Sequence, residues 1–132
     1  MLSRHSRLKK ADFDVAYKEG KVLRHPLLLC RCYWRPAAVD EAPRAAFVAP
    51  RKLAKATRRN RWKRRLRHWF YEILQESTAT TAADQLKWSR CDFIFILTAQ
   101  GRDAPPREVF QAMRTLWKRA IHSPGHNGSA RH

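Results

Sequence analysis

The sequence predicts an α+β fold, a small single-domain α/β sandwich with one sheet packed by helices. Three observations carry this reading. Apolar residues recur at helical spacing near 10–19, across 55–76 and again beyond Pro105. Between them lie strand-like runs at 27–34, 45–49 and 91–99. The length of 132 residues suits one hydrophobic core.

The first helix, about 10–19, is marked by Leu8, Phe13, Ala16 and Tyr17 at helical spacing. Gly20 follows in the usual place of a C-terminal cap. In the strand 27–34, Leu27, Leu29, Arg31 and Tyr33 alternate with Leu28, Cys30, Cys32 and Trp34. Residues 35–46 hold two prolines and an acidic pair, which suits a loop. The short strand 45–49 stops before Pro50. CDFIFILTA at 91–99 is apolar at almost every position, so both of its faces should be covered. The last helix opens at Pro105-Pro106, and Val109, Phe110, Met113, Leu116 and Trp117 form its apolar stripe. The domain should span 1–122. Residues 123–132, rich in Gly, Ser and His, should form a flexible tail.

Charge narrows the function. The chain carries 28 Lys+Arg against 11 Asp+Glu, a formal charge of +17. Self-repulsion of this size opposes compaction, and a polyanion relieves it. Nucleic acid is the first candidate and an anionic membrane surface the second. The longest mostly apolar stretch, Phe93 to Ala99, falls far short of the roughly 20 residues that span a bilayer. The start, MLSRHSRLKK, lacks the apolar segment of a secretory signal. Three cysteines are an odd number for a disulfide framework, and they lack zinc-ligand spacing. They read as reduced thiols in a cytoplasmic protein, with no metal site. The acids Asp12, Asp14, Glu72, Glu76 and Asp92 are scattered, and no nucleophile–base motif stands out, so no catalytic residue is assigned.

The helix at 55–76 is the centre of the sequence. Trp62, Leu66, Trp69, Phe70 and Ile73 step by three and four and share one face. Asn60, Arg61, Lys63, Arg64 and Arg67 fall on the other. From Arg51 to Arg67 there are ten Lys or Arg and no acid. Such a row presents donors at phosphate spacing, and arginine adds planar bidentate contacts. A solvated face is the bland alternative. An amphipathic membrane-surface helix is the serious one, because WKRRLRHWFYEIL has that look. The need of the strands for a core argues that the tryptophans point inward. Asn60, a poor helix former between two arginines, reads either as a hydrogen-bonding residue or as a helix-start cap.

APRKLAKATRRNRWKRRLRHWF resembles the signature of the bacterial ribonuclease P protein component. Lys55, Arg59, Asn60, Arg61, Lys63, Arg64 and Arg67 occupy its positions. RLKKADFDVAYKEGK resembles the family's opening, through Arg7, Leu8, Phe13, Tyr17, Gly20 and Lys21. With CDFIFILTA and the last helix, the likeness covers about residues 7–121. Pro50-Arg51, Ala54 and Thr57-Arg58 depart from the family's usual residues.

The resemblance implies a ribosomal-protein-like fold with a β-α-β crossover, left-handed in the family. It implies a protein subunit for a catalytic RNA, which removes the 5′ leader of precursor tRNA. The chemistry belongs to the RNA subunit. Magnesium is expected in the RNA holoenzyme and no cofactor on the protein alone. The partners implied are the RNA subunit and precursor tRNA, with the protein monomeric in a 1:1 ribonucleoprotein and no membrane contact. The RNA-subunit surface would be Arg51, Lys52, Lys55, Arg59, Asn60, Arg61, Lys63, Arg64 and Arg67. The leader would meet Phe13 and Tyr17, with Lys9, Lys10 and Lys21 at its phosphates and Arg31 and Tyr33 as cleft floor. From spacing alone Phe13 and Tyr17 are better read as core. A basic ribosomal-type RNA-binding module without a role in cleavage is the alternative function.

Overall fold

The structure, a computed structural model, describes residues 8–35, 43–77 and 91–122. Part of the predicted loop at 35–46 and the whole predicted tail at 123–132 lie outside them.

The elements run α1 (Lys10–Glu19), β1 (Lys21–Arg24), β2 (Leu28–Trp34), β3 (Arg44–Val48), a 3-10 turn (Arg51–Leu53), α2 (Ala56–Ser77), β4 (Cys91–Leu97), α3 (Ala99–Arg102) and α4 (Pro106–Ile121). One four-stranded sheet has the order β1-β2-β4-β3. β1 pairs antiparallel with β2, and β2 with β4. β3 and β4 are parallel neighbours. Parallel neighbours need a crossover, and α2 lies between them in the chain. The β-α-β unit implied by the resemblance is therefore present.

The two faces of the sheet have different partners. Register places Cys32 opposite Phe93, and Cys30 and Phe47 opposite Phe95. This face packs on α2 and α4. Phe70 of α2 is the hub, with ring centroids 5.6 Å from Phe93, 5.5 Å from Phe95 and 5.8 Å from Trp117 of α4. The opposite face carries the row Val22, Arg31, Ile94 and Ala46, over which α1 lies. Ile94 is fully buried there. Coverage from both sides is the physical reason that β4 reads as a nearly unbroken apolar run.

Two glycines are fixed by close approach. Gly20 ends α1 as predicted, its N–H donating to the Ala16 carbonyl at 2.9 Å. Its backbone is extended, with φ of −74°, so left-handed freedom is not the reason for glycine. A Cβ would stand 2.5 Å from the Ala16 oxygen. At Gly101 a Cβ would stand 2.0 Å from the Leu27 oxygen, which lets α3 press on the β1–β2 turn. Thr98 secures that contact, donating to the Pro26 carbonyl at 2.7 Å and capping α3 through the Gly101 N–H at 2.9 Å.

Some boundaries differ from expectation. Leu8 precedes α1, its N–H donating to Ala45 at 3.2 Å. The last strand ends at Leu97, because Thr98 turns the chain into α3. β1 leaves no pattern in the sequence. Only Val22 and Leu23 lie between its terminal cations, too few for an alternation to show.

Candidate nucleic-acid interface

The basic segment begins after Pro50 with the 3-10 turn, in which the Leu53 N–H donates to the Pro50 carbonyl at 3.0 Å. Leu53 is buried and anchors the turn. Arg59 donates through Nε to the Ala54 carbonyl at 3.1 Å, so one of the signature arginines also fastens this turn to the helix.

Along α2, Trp62, Leu66, Phe70 and Ile73 are buried at steps of three and four. Trp69 is half-buried, stacked on Phe110 of α4 at 5.3 Å and edge-on to Trp62 at 6.3 Å. The tryptophan stripe is spent on the core and on α4, which leaves the membrane-surface reading without its apolar face. On the outer side Arg51, Lys52, Lys55, Asn60, Arg61 and Arg64 are exposed, and Arg59, Lys63 and Arg67 half-buried. Asn60 is the fifth residue of α2, so it is no helix-start cap. Among the described residues no carboxylate pairs with Arg61, Lys63, Arg64 or Arg67. The first turn of α2 carries no acid, so the positive end of the helix dipole adds to the field.

The flank of α2 that faces α4 carries a further group that the sequence reading left out. Arg58, Arg61, Trp62 and Arg65 line an open cavity of about 370 Å³. Its far side is Arg102 and Asp103. The Arg65 guanidinium lies 4.9 Å from the Trp62 ring centroid. Arg58 and Arg65 sit one turn either side of Trp62, a spacing the sequence does show. Arg102 comes from α3, and nothing in the sequence links it to α2.

A second cluster forms where α1 crosses the sheet. The Phe13 and Tyr17 rings are 5.9 Å apart. Tyr17 is 44% exposed and Phe13 half-buried, so the core reading of this pair does not hold. The Arg31 guanidinium lies 4.2 Å from the Tyr17 ring centroid and donates to the Tyr17 carbonyl. Tyr33, two residues along β2, shares this sheet face and is half-buried. Lys9 and Lys10 are exposed at the start of α1, with Lys10 held 3.3 Å from Asp14. Lys21 is not brought into this group. It pairs across the strands with Cys32, which points its side chain to the other face of the sheet.

The acids are less scattered than the sequence suggests. Arg44 donates to Asp92 through Nε at 2.9 Å and Nη2 at 2.8 Å, and to Asp12 of α1 through Nη1 at 3.1 Å. Arg35 donates to the same Asp92 carboxylate. Asp92 is buried, and this network fixes the start of α1 over β3 and β4. Its members are satisfied by arginines, which marks a positioning role rather than acid–base chemistry. Among the described residues no His, Cys, Asp or Glu cluster suits a metal ion, and no helix is long and apolar enough to cross a membrane.

Cys30, Cys32 and Cys91 are buried and free, with Cys32 Sγ 3.0 Å from Cys91 Sγ. Burial, the largest cause, pushes the Cys30 and Cys91 thiols well above their ordinary range. Protonated and enclosed, they are poor nucleophiles and poor metal ligands.

Comparison with known proteins agrees with this architecture. The structure is similar to a ribonuclease P protein from Staphylococcus aureus at 18% identity and a TM-score of 0.65, over 87% of this chain and 94% of that one. It is similar to the ribonuclease P protein from Thermotoga maritima at 24% identity and a TM-score of 0.62, over 86% and 96%. A search of curated sequences gives no match. The family model for ribonuclease P matches residues 2–121, nearly the whole sequence, and the chain belongs to that family.

Proposed function

We propose that this chain is the protein subunit of bacterial ribonuclease P. It would bind the catalytic RNA and assist removal of the 5′ leader from precursor tRNA. The observation that carries this reading is the two-sidedness of α2. One side is locked into the core by Trp62, Leu66 and Phe70, and the other offers Arg61 and Arg64 exposed with no carboxylate partner among the described residues. A rigid, uncompensated cationic row is suited to phosphates and 2′-hydroxyls of a folded RNA. Family membership supplies which RNA.

In this reading no protein side chain performs the cleavage. Magnesium held by the RNA would supply the activated water and steady the leaving oxygen. The protein's work is to hold RNA. Arg51, Lys52, Lys55, Arg59, Asn60, Arg61, Lys63, Arg64 and Arg67 take the RNA subunit. Phe13 and Tyr17 stack on leader bases, Arg31 and Tyr33 lie beneath them, and Lys9 and Lys10 meet leader phosphates. The exposure of Tyr17 beside Phe13 supports the stacking role. Lys21, on the other face of the sheet, takes part in leader binding only by reaching round the edge strand. The particle is a cytoplasmic 1:1 complex.

The test is cleavage of precursor tRNA by the RNA subunit at low magnesium, with and without this protein. Stimulation is expected, and its absence would refute the assignment. A basic ribosomal-type module would bind RNA without regard to leader length. If Phe13→Ala and Tyr17→Ala weaken only substrates with long leaders, that alternative fails.

A further inference from the structure

The cavity between α2 and the α3–α4 turn shares only Arg61 with the signature surface. Four guanidiniums, from Arg58, Arg61, Arg65 and Arg102, surround it against the single carboxylate of Asp103. That carboxylate is already engaged. Arg102 grips both its oxygens, Nε at 2.9 Å and Nη2 at 2.8 Å, and donates through Nη1 to the Leu53 carbonyl at 2.7 Å. Arg58 donates to the Arg102 carbonyl at 3.3 Å and lies 4.0 Å from Asp103. Arg61 and Arg65 make no ion pair among the described residues, and Arg65 is steadied over the Trp62 ring. The rim on the far side includes Pro106, the first residue of the 16-residue helix α4, so the positive end of that dipole also faces the opening.

We infer that this cavity is a binding pocket for a phosphate of the bound RNA, held by Arg58, Arg61 and Arg65 against the N-terminus of α4. Its volume of about 370 Å³ leaves room beside the phosphate for the attached ribose. The RNA interface then does not stop at the outer side of α2. It wraps over the flank onto the α3–α4 turn, and Arg102 serves to neutralise Asp103 and to fix that turn. This inference rests on the docking of α2 on RNA proposed above.

The test measures affinity of the whole protein for the ribonuclease P RNA subunit across a range of salt concentrations. The double variant Arg58→Gln/Arg65→Gln should bind at least tenfold more weakly, with a salt slope reduced by roughly one to two. Pro106→Glu is the second variant. An acid in the first turn of α4 suits the helix dipole, so the fold should be kept while the pocket repels phosphate. It should weaken binding several-fold, with the loss fading at high salt. Arg64→Gln, on the outer side and away from the cavity, separates the two levels of the argument. If Arg64→Gln weakens binding while the double variant and Pro106→Glu match the wild type, the pocket is overturned and the α2 reading stands. If none of the three changes binding, both fall.

Discussion

Arg31 lies 4.2 Å from the centre of the Tyr17 ring and donates to the Tyr17 carbonyl. That carbonyl belongs to the last turn of α1, where helix carbonyls lack partners within the helix. One strand arginine thus caps a helix, places a cation at its negative end and backs an exposed aromatic ring.

Removal of the ring should be felt by the substrate. Tyr17→Ala should lower affinity for precursor tRNA with a long leader by about 1–3 kcal/mol, and leave a leaderless tRNA unaffected. Binding assays with the assembled holoenzyme and leaders of graded length check this. Equal losses at every length would remove Tyr17 from the leader site.

The Arg44–Asp92 pair should matter to folding. Asp92 is buried and bonded by two half-buried arginines, so Asp92→Ala removes the carboxylate that holds both guanidiniums in place. The cost should be about 3–5 kcal/mol. Asp12 is partly exposed, and Asp12→Ala should cost no more than about 1 kcal/mol. Urea unfolding of both variants measures the contrast, and equal midpoints would contradict it.

The cysteines predict a pH effect. Burial raises the Cys30 and Cys91 thiols in the folded chain, while the unfolded chain releases those protons near pH 9.0. The folded state therefore holds more protons above that pH, and stability falls as pH rises through it. Below it the contribution is whole. Cys30→Ala/Cys91→Ala should flatten the alkaline decline in unfolding free energy. An unchanged pH profile in the double variant would show that other groups cause the decline.

Stability and RNA affinity should separate along α2. Phe70 touches Phe93, Phe95 and Trp117, so Phe70→Ala should cost about 3–5 kcal/mol. Arg64 is exposed, and Arg64→Ala should change stability by no more than about 0.5 kcal/mol. Thermal unfolding of the two variants is the check.

Periodicity made α2 legible, because Trp62, Leu66, Phe70 and Ile73 meet a core while the residues between them meet solvent. The alternation of β2 was legible for the same reason, with Cys30 and Cys32 inside and Arg31 and Tyr33 on the α1 side. What depends on distant residues was hidden. Asp12 and Asp92 meet through Arg44, and Arg102 reaches Leu53 because α3 folds back on the 3-10 turn. The resemblance to the family's opening assigns Lys21 to the leader, and only strand pairing with Cys32 shows which way it faces. The exposure of Tyr17 was equally beyond spacing, since an aromatic pair at helical intervals is the same in a core or on a surface.

The proposed function requires the outer side of α2 to grip the RNA subunit. Its most direct test is the affinity of Arg61→Ala/Arg64→Ala for that RNA across a series of salt concentrations. The double variant should bind more weakly at low salt, and its slope of log affinity against log salt should be shallower by roughly one to two. Affinity and slope indistinguishable from the wild type, in a variant with unchanged thermal stability, would contradict the claim.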